Sequence, residues 1–96
     1  MDYHLKFVPS AWEEWKALDG SIKESFKKLL KKRLVQPRVP GAELHGDLRD
    51  CYKIKLRKQA CRLVYQVEDD ALVVLVLAVG KRENLAAYRA ASRRIA

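Results

Sequence analysis

Ninety-six residues, 49% of them hydrophobic, are enough for one core and not two, so a single domain over 1–96 is expected. The formal charge of +8 is unevenly spread, with 10 Lys/Arg against 8 Asp/Glu in residues 1–50 and 10 against 4 in residues 51–96, a field that attracts polyanions. Two cysteines exclude a disulfide-stapled scaffold, and the longest apolar run, Ala71 to Val79, is far short of the ~20 residues that cross a bilayer.

Tyr3, Leu5 and Phe7 alternate with His4, Lys6 and Val8, which predicts a first strand. Ser10 and Glu13 are spaced as a capping box, and Trp12, Trp15 and Leu18 give the following helix an apolar face that ends at Asp19-Gly20. Ser21 and Glu24 form a second such box, opening a helix whose stripe is Ile22, Phe26, Leu29, Leu30 and Leu34. Lys27, Lys28, Lys31, Lys32 and Arg33 lie mainly off that stripe, and Pro37 stops the helix. The two helices make a hairpin, with both tryptophans as its packing anchors. Residues 37–50, with two prolines and two glycines, read as a loop. Strands are predicted at 51–57 and 61–68, joined to a third at 71–79 by an Asp69-Asp70 turn. The third is apolar throughout, as a central strand should be, and Gly80 breaks it. An Ala- and Arg-rich helix closes the chain from Glu83 to Ile95.

Strand parity carries the sharpest inference. If Tyr52, Ile54 and Leu56 face the core, Lys53, Lys55 and Arg57 face the other way. If Leu63, Tyr65 and Val67 face the core, Arg62 does not. Registers that keep the faces clean pair Arg57 with Ala60 or with Arg62, and both bring Lys55 close to Arg62. Such like charges cost stability and suggest a partner, unless the side chains splay into water. The same parity puts Cys51 on the cationic face and Cys61 in the core, which argues against a disulfide between them. No phosphate-cradling glycine loop, metal-spaced Cys/His cluster or carboxylate pair is present, and His4 and His45 read as surface residues. Any chemistry must run on Lys, Arg and Tyr. No secretory signal is expected among the charged first thirty residues, so the expected location is cytoplasmic.

The segments CYKIKLR at 51–57, RLVYQV at 62–67 and VGKRE at 79–83, with Tyr88 five residues later, resemble the RelE-type toxins of type II toxin–antitoxin systems. The resemblance covers essentially the whole chain. It implies a RelE-like α+β fold: a compact, mostly antiparallel four-stranded sheet, a helical hairpin on one face and a C-terminal helix, in the order β-α-α-β-β-β-α. It implies an mRNA interferase, an endoribonuclease without metal or cofactor that cuts mRNA in the ribosomal A site. The RNA 2′-hydroxyl attacks its own phosphate, leaving a 2′,3′-cyclic phosphate and a 5′-hydroxyl. The carried-over catalytic set is Lys53, Lys55, Arg62, Arg82 and Tyr88. Lys53 is the candidate base, Lys55 and Arg62 stabilise the phosphorane charge, Arg82 serves the leaving oxygen and Tyr88 orients a base. Lys27, Lys28, Lys31, Lys32, Arg33, Arg57 and Lys81 are the candidate RNA-binding residues. The implied partners are a cognate RelB-type antitoxin, with which the toxin is a corepressor, and the ribosome carrying A-site mRNA. Operator DNA is reached only through the antitoxin, and no membrane or small-molecule cofactor is implied.

Two positions depart from the pattern: Ala60-Cys61 stands where the family often has Gly-Tyr, and Leu44-His45-Gly46 where it often has Leu-Arg-Gly. The competing readings are a ParE-like toxin, which acts on DNA gyrase, and a basic RNA-binding domain without turnover.

Overall fold

A computed structural model describes residues 2–81 and 86–95. The chain runs β1 (His4–Phe7), α1 (Pro9–Lys16), α2 (Gly20–Val35), β2 (Cys51–Leu56), β3 (Cys61–Glu68), β4 (Val73–Lys81) and α3 (Ala86–Arg94). The strands form one sheet in the order β1-β4-β3-β2. The β2–β3 and β3–β4 pairs are antiparallel, while β1 lies parallel to β4, so the sheet is mixed and mostly antiparallel. The long connection that a parallel pair requires is made by the helical hairpin followed by β2 and β3.

The sheet separates two apolar layers. On one face Ala11, Trp15, Phe26 and Leu30 of the hairpin pack with Ile54, Leu63, Tyr65, Val74 and Val76. Phe7, Trp15 and Phe26 run through this layer with ring centroids 5.5 and 6.0 Å apart, so Trp15 is a packing anchor as expected. Trp12 packs edge-on to Phe7 at 5.2 Å yet stays 45% exposed. On the other face Ala87, Ala90 and Ala91 of α3 cover Cys51, Val64, Leu77 and Ala78. The molecule measures 32 × 27 × 26 Å, and among the described residues no helix is long and apolar enough to cross a membrane.

The helix starts differ from the sequence expectation. Val8 is the N-cap of α1 and Pro9 its first residue, so Ser10 lies inside the helix. Proline has no N–H to lose and its fixed φ suits the first helical position, so it sets the start two residues earlier. Asp19 caps α2 and Gly20 opens it, which puts Ser21 inside as well. Neither cap makes a side-chain bond. Glu13 and Glu24 pair instead with Lys16 and Lys27, three residues on.

Two further details differ. β4 starts at Val73, since Ala71 and Leu72 belong to the preceding turn. It then runs through Gly80 to Lys81, with Gly80 paired to Arg62. The β3–β4 register slips between Val64 and Tyr65, whose partners are Ala78 and Val76, leaving Leu77 as the extra residue of a bulge. The bulge reverses side-chain parity: Val74 and Val76 before it and Val79 after it all face the hairpin, while Leu77 and Ala78 both face α3.

Candidate active site

Of the two registers that keep the faces clean, the hairpin adopts the one that sets Arg57 opposite Ala60. Leu56 pairs with Cys61, Lys55 with Arg62 and Lys53 with Val64. The Ala60 N–H closes the connecting turn on Arg57 O at 3.3 Å. Ala60 has φ +53°, a left-handed backbone that favours glycine. The glycine expected there from the family resemblance would adopt that torsion without strain.

Tyr52, Ile54 and Leu56 face the hairpin, so Lys53 and Lys55 stand on the opposite face. Arg62 shares that face, and so does Gly80 beyond it, making a cross-sheet row Lys55–Arg62–Gly80. Among the described residues, a side chain at Gly80 would meet nothing within 4 Å. Lys55 is exposed, Lys53 half-buried and Arg62 only 9% exposed. The bulge places Ala78 rather than a large side chain beside Val64, next to this row.

Tyr88 of α3 completes the arrangement. Its ring lies 4.9 Å from the Arg62 guanidinium carbon, a cation–π contact. Arg62 Nε is buried with no hydrogen-bond partner among the described residues, and the same holds for Gln66 Oε1 on the same face. A cation held under an aromatic ring, opposite a lysine and with an unused donor, is suited to an anionic ligand. The structure thus brings Lys53, Lys55, Arg62 and Tyr88 to one side of the sheet. Arg82 lies outside the described residues.

The candidate RNA-binding residues do not form one surface. Lys27, Lys28, Lys31 and Lys32 are exposed on α2, in the helical layer across the sheet from Arg62. Lys27 and Lys31 border an apolar groove that includes Leu5, Phe7, Trp12 and Leu34. Arg33 is turned inward: Nη1 donates to Tyr65 Oη at 2.8 Å and to Lys53 O at 3.2 Å, so this guanidinium is structural. Tyr65 in turn donates to Pro37 O at 2.6 Å, and burial raises its pKa. Arg57 is exposed in the β2–β3 turn. Lys81 pairs with Cys61 and shares its parity with Val79, so it lies on the hairpin side rather than with Arg62. The free cysteines occupy opposite faces as expected, and burial pushes the Cys51 thiol up to about 11.

Sequence reasoning missed Glu14 and Arg94. Arg94 donates to both carboxylate oxygens of Glu14, at 2.9 and 3.1 Å, and to Leu77 O at 2.8 Å. Glu14 also accepts the Val79 N–H at 3.1 Å. The available signal was the spacing of Arg94, on the alanine stripe of its helix seven residues after Ala87.

Comparison with known proteins adds the family context. The family model described as the ParE toxin of type II toxin–antitoxin systems matches residues 5–86. A RelE-like toxin protein of Escherichia coli is 50% identical over 95 residues, covering 99% of both chains. The mRNA interferase toxin RelE of Escherichia coli K12 is 46% identical over the same length, again with 99% coverage of both. Among solved structures, a doubly substituted E. coli RelE in the free state aligns with TM-score 0.90 at 45% identity, covering all of both chains. The same toxin bound to an antitoxin RelB peptide aligns with TM-score 0.81, also over all of both chains.

Proposed function

The chain belongs to the RelE/ParE family of type II toxin–antitoxin toxins, on its RelE branch, and from that premise we propose that it is a ribosome-dependent endoribonuclease. It cuts mRNA in the ribosomal A site by attack of a 2′-hydroxyl on the adjacent phosphate, releasing a 2′,3′-cyclic phosphate and a 5′-hydroxyl end, and so stops translation in the cytoplasm. The observation that carries this reading is the Lys55–Arg62–Gly80 row with Tyr88 at 4.9 Å over Arg62.

We assign the roles as follows, with the positions of Lys53, Lys55, Arg62 and Tyr88 in support. Lys55 and Arg62 are direct cross-strand partners, placed to share one phosphate. Charge on that phosphate grows as the five-coordinate phosphorane forms, and fixed cations stabilise it there without reorganising. Lys53 stands two residues along β2 on the same face, opposite Val64, and takes the 2′-hydroxyl proton. Tyr88 stacks against a base and holds the nucleotide so that its 2′-oxygen lies in line with the leaving oxygen. Arg82 supplies charge or a proton at that leaving 5′-oxygen. Metal and cofactor have no place in this scheme. Lysine ionises ordinarily near ~10.4, so the set is a weak free-standing acid–base system. The ribosome completes it by holding mRNA in an attack-ready conformation.

Complexes of E. coli RelE with RelB peptide and with intact RelB have been solved. By the same reading, a cognate RelB-type antitoxin with an acidic segment neutralises this chain. It covers the cationic face or displaces α3, and the pair represses its operator through the antitoxin.

Primer extension on a translated mRNA tests the function. Codon-spaced breaks inside A-site codons, lost in Arg62→Ala, are expected. The family description by ParE keeps one rival concrete: inhibited DNA supercoiling with intact mRNA means gyrase is the target. Intact mRNA with salt-sensitive ribosome binding means an RNA-binding domain without turnover.

A further inference from the structure

We propose that Glu14 and Arg94 form a clasp that positions Tyr88 over Arg62, making them positioning residues of the site although neither touches it. The inference rests on the assignment of Tyr88 and Arg62 to the active site.

The clasp is built on the bulge in β4. Two backbone groups beside it, Leu77 O and Val79 N–H, are taken by side chains, one by Arg94 and the other by Glu14. The same two side chains then close on each other through paired hydrogen bonds of 2.9 and 3.1 Å. Four bonds therefore join α1, the bulge and the end of α3 into one unit. The pair is largely shielded, with side-chain exposures of 22% for Arg94 and 33% for Glu14. Bidentate guanidinium–carboxylate geometry fixes orientation as well as distance.

α3 needs such a device. Its buried residues are Ala87, Ala90 and Ala91, whose methyl groups give a shallow contact that permits sliding and rotation. Ala87 and Arg94 are seven residues apart and so lie nearly in line along the helix, both turned toward β4. Tyr88, one position round from Ala87, reaches Arg62 only while that line faces the sheet. Fixing Arg94 on the bulge sets the rotation of α3, and with it the place of the Tyr88 ring. Ser92 Oγ near Asp47 Oδ2, at 3.5 Å and exposed, is too weak to substitute.

Two readouts separate this inference from the assignment beneath it. The first does not need activity: the Tyr88 ring shields the Arg62 side-chain protons, giving them upfield NMR shifts. Arg94→Met and Glu14→Gln should return those shifts toward ordinary arginine values, with β3 amide shifts kept as a control for folding. Arg94→Lys should restore part of the displacement. Unchanged Arg62 shifts in both folded variants overturn the clasp. Should Arg94→Met not fold, Glu14→Gln decides alone, since it keeps the side-chain shape.

The second readout is cleavage of ribosome-held mRNA. Arg94→Met should lower kcat about tenfold with little change in KM, and should add nothing further in a Tyr88→Ala background. Multiplicative losses in the double variant overturn the inference. If the variants move the Arg62 shifts as expected while the wild-type chain cuts no mRNA, the ribonuclease reading is overturned and the clasp stands.

Discussion

Arg62→Met should leave the fold as stable as before, or more so, while abolishing function. Arg62 is 9% exposed and its Nε has no hydrogen-bond partner among the described residues. Leaving such a donor unsatisfied costs about 1–3 kcal/mol. Lys55 sits directly across the ladder, and like charges so placed cost about 0.2–1 kcal/mol more. Against this, the contact with Tyr88 contributes about 0.5–2 kcal/mol. Methionine keeps the apolar stem and the packing under α3. Taken at their midpoints these contributions favour the variant by roughly 1 kcal/mol, within a range from about 1 kcal/mol destabilising to about 3.5 kcal/mol stabilising, and each kcal/mol moves Tm by about 4–8 °C in a domain of this size. Removal of one transition-state charge should slow mRNA cleavage by about 10²–10³. Thermal melts and urea titrations at equal m-value, read beside primer extension, measure both sides. A Tm lowered by several degrees with cleavage intact would show that Arg62 serves the fold, and the active-site reasoning would fail.

Three other substitutions probe separate parts of the structure. Ala60→Gly relieves the left-handed backbone at φ +53°; after the entropy cost of glycine a gain of about 0.5–1 kcal/mol is expected, and an unchanged or lower Tm contradicts the turn geometry. Tyr65→Phe strips the buried hydroxyl shared by Arg33 and Pro37 O, and a loss of about 1–3 kcal/mol is expected at unchanged cleavage per folded molecule. Asp69 accepts hydrogen bonds from Tyr3 at 2.6 Å and Arg38 at 2.8 Å, which hold its carboxyl below the ordinary value. Its contribution is therefore present at neutral pH and lost as acidification passes the ordinary carboxylate value toward the lowered one. The Tm gap between wild type and Asp69→Asn should close over that acidic range, and a gap that stays constant there contradicts the linkage.

The parts legible in the sequence were those set by strict periodicity. Alternation placed Lys53, Lys55 and Arg62 on one face, and that parity holds because Ile54 and Leu63 cannot turn to water without losing the core. Helix starts were misread, because Pro9 and Gly20 override the serines that follow them. Side chains drawn inward by distant partners were also invisible. Arg33 looked like one more cation of a lysine run until Tyr65, far along the chain, claimed it. Lys81 could not be assigned to a face without the bulge, since one extra residue in β4 reverses all parity beyond it. The Glu14–Arg94 pair depends on that same bulge and on two helices meeting across the sheet edge. No local pattern encodes either.

The two basic surfaces bear on why a partner is required. Lys27, Lys28, Lys31 and Lys32 lie on the hairpin side, and Lys53, Lys55 and Arg62 lie across the sheet from them. A single RNA strand laid along one surface cannot reach the other without turning round an edge of a domain 32 Å in its longest dimension. Under the proposed function the ribosome would supply that geometry, with structural RNA held by α2 while the message meets the cationic sheet face. Replacing Lys27, Lys28, Lys31 and Lys32 by alanine should therefore weaken ribosome binding and flatten its salt dependence, by about 0.7–0.9 in log–log slope per lost phosphate contact. Cleavage at saturating ribosome should keep its kcat, because no α2 lysine lies on the reacting face. If the same variant instead lost kcat at an unchanged salt slope, α2 would belong to the chemistry and the two-surface argument would be wrong.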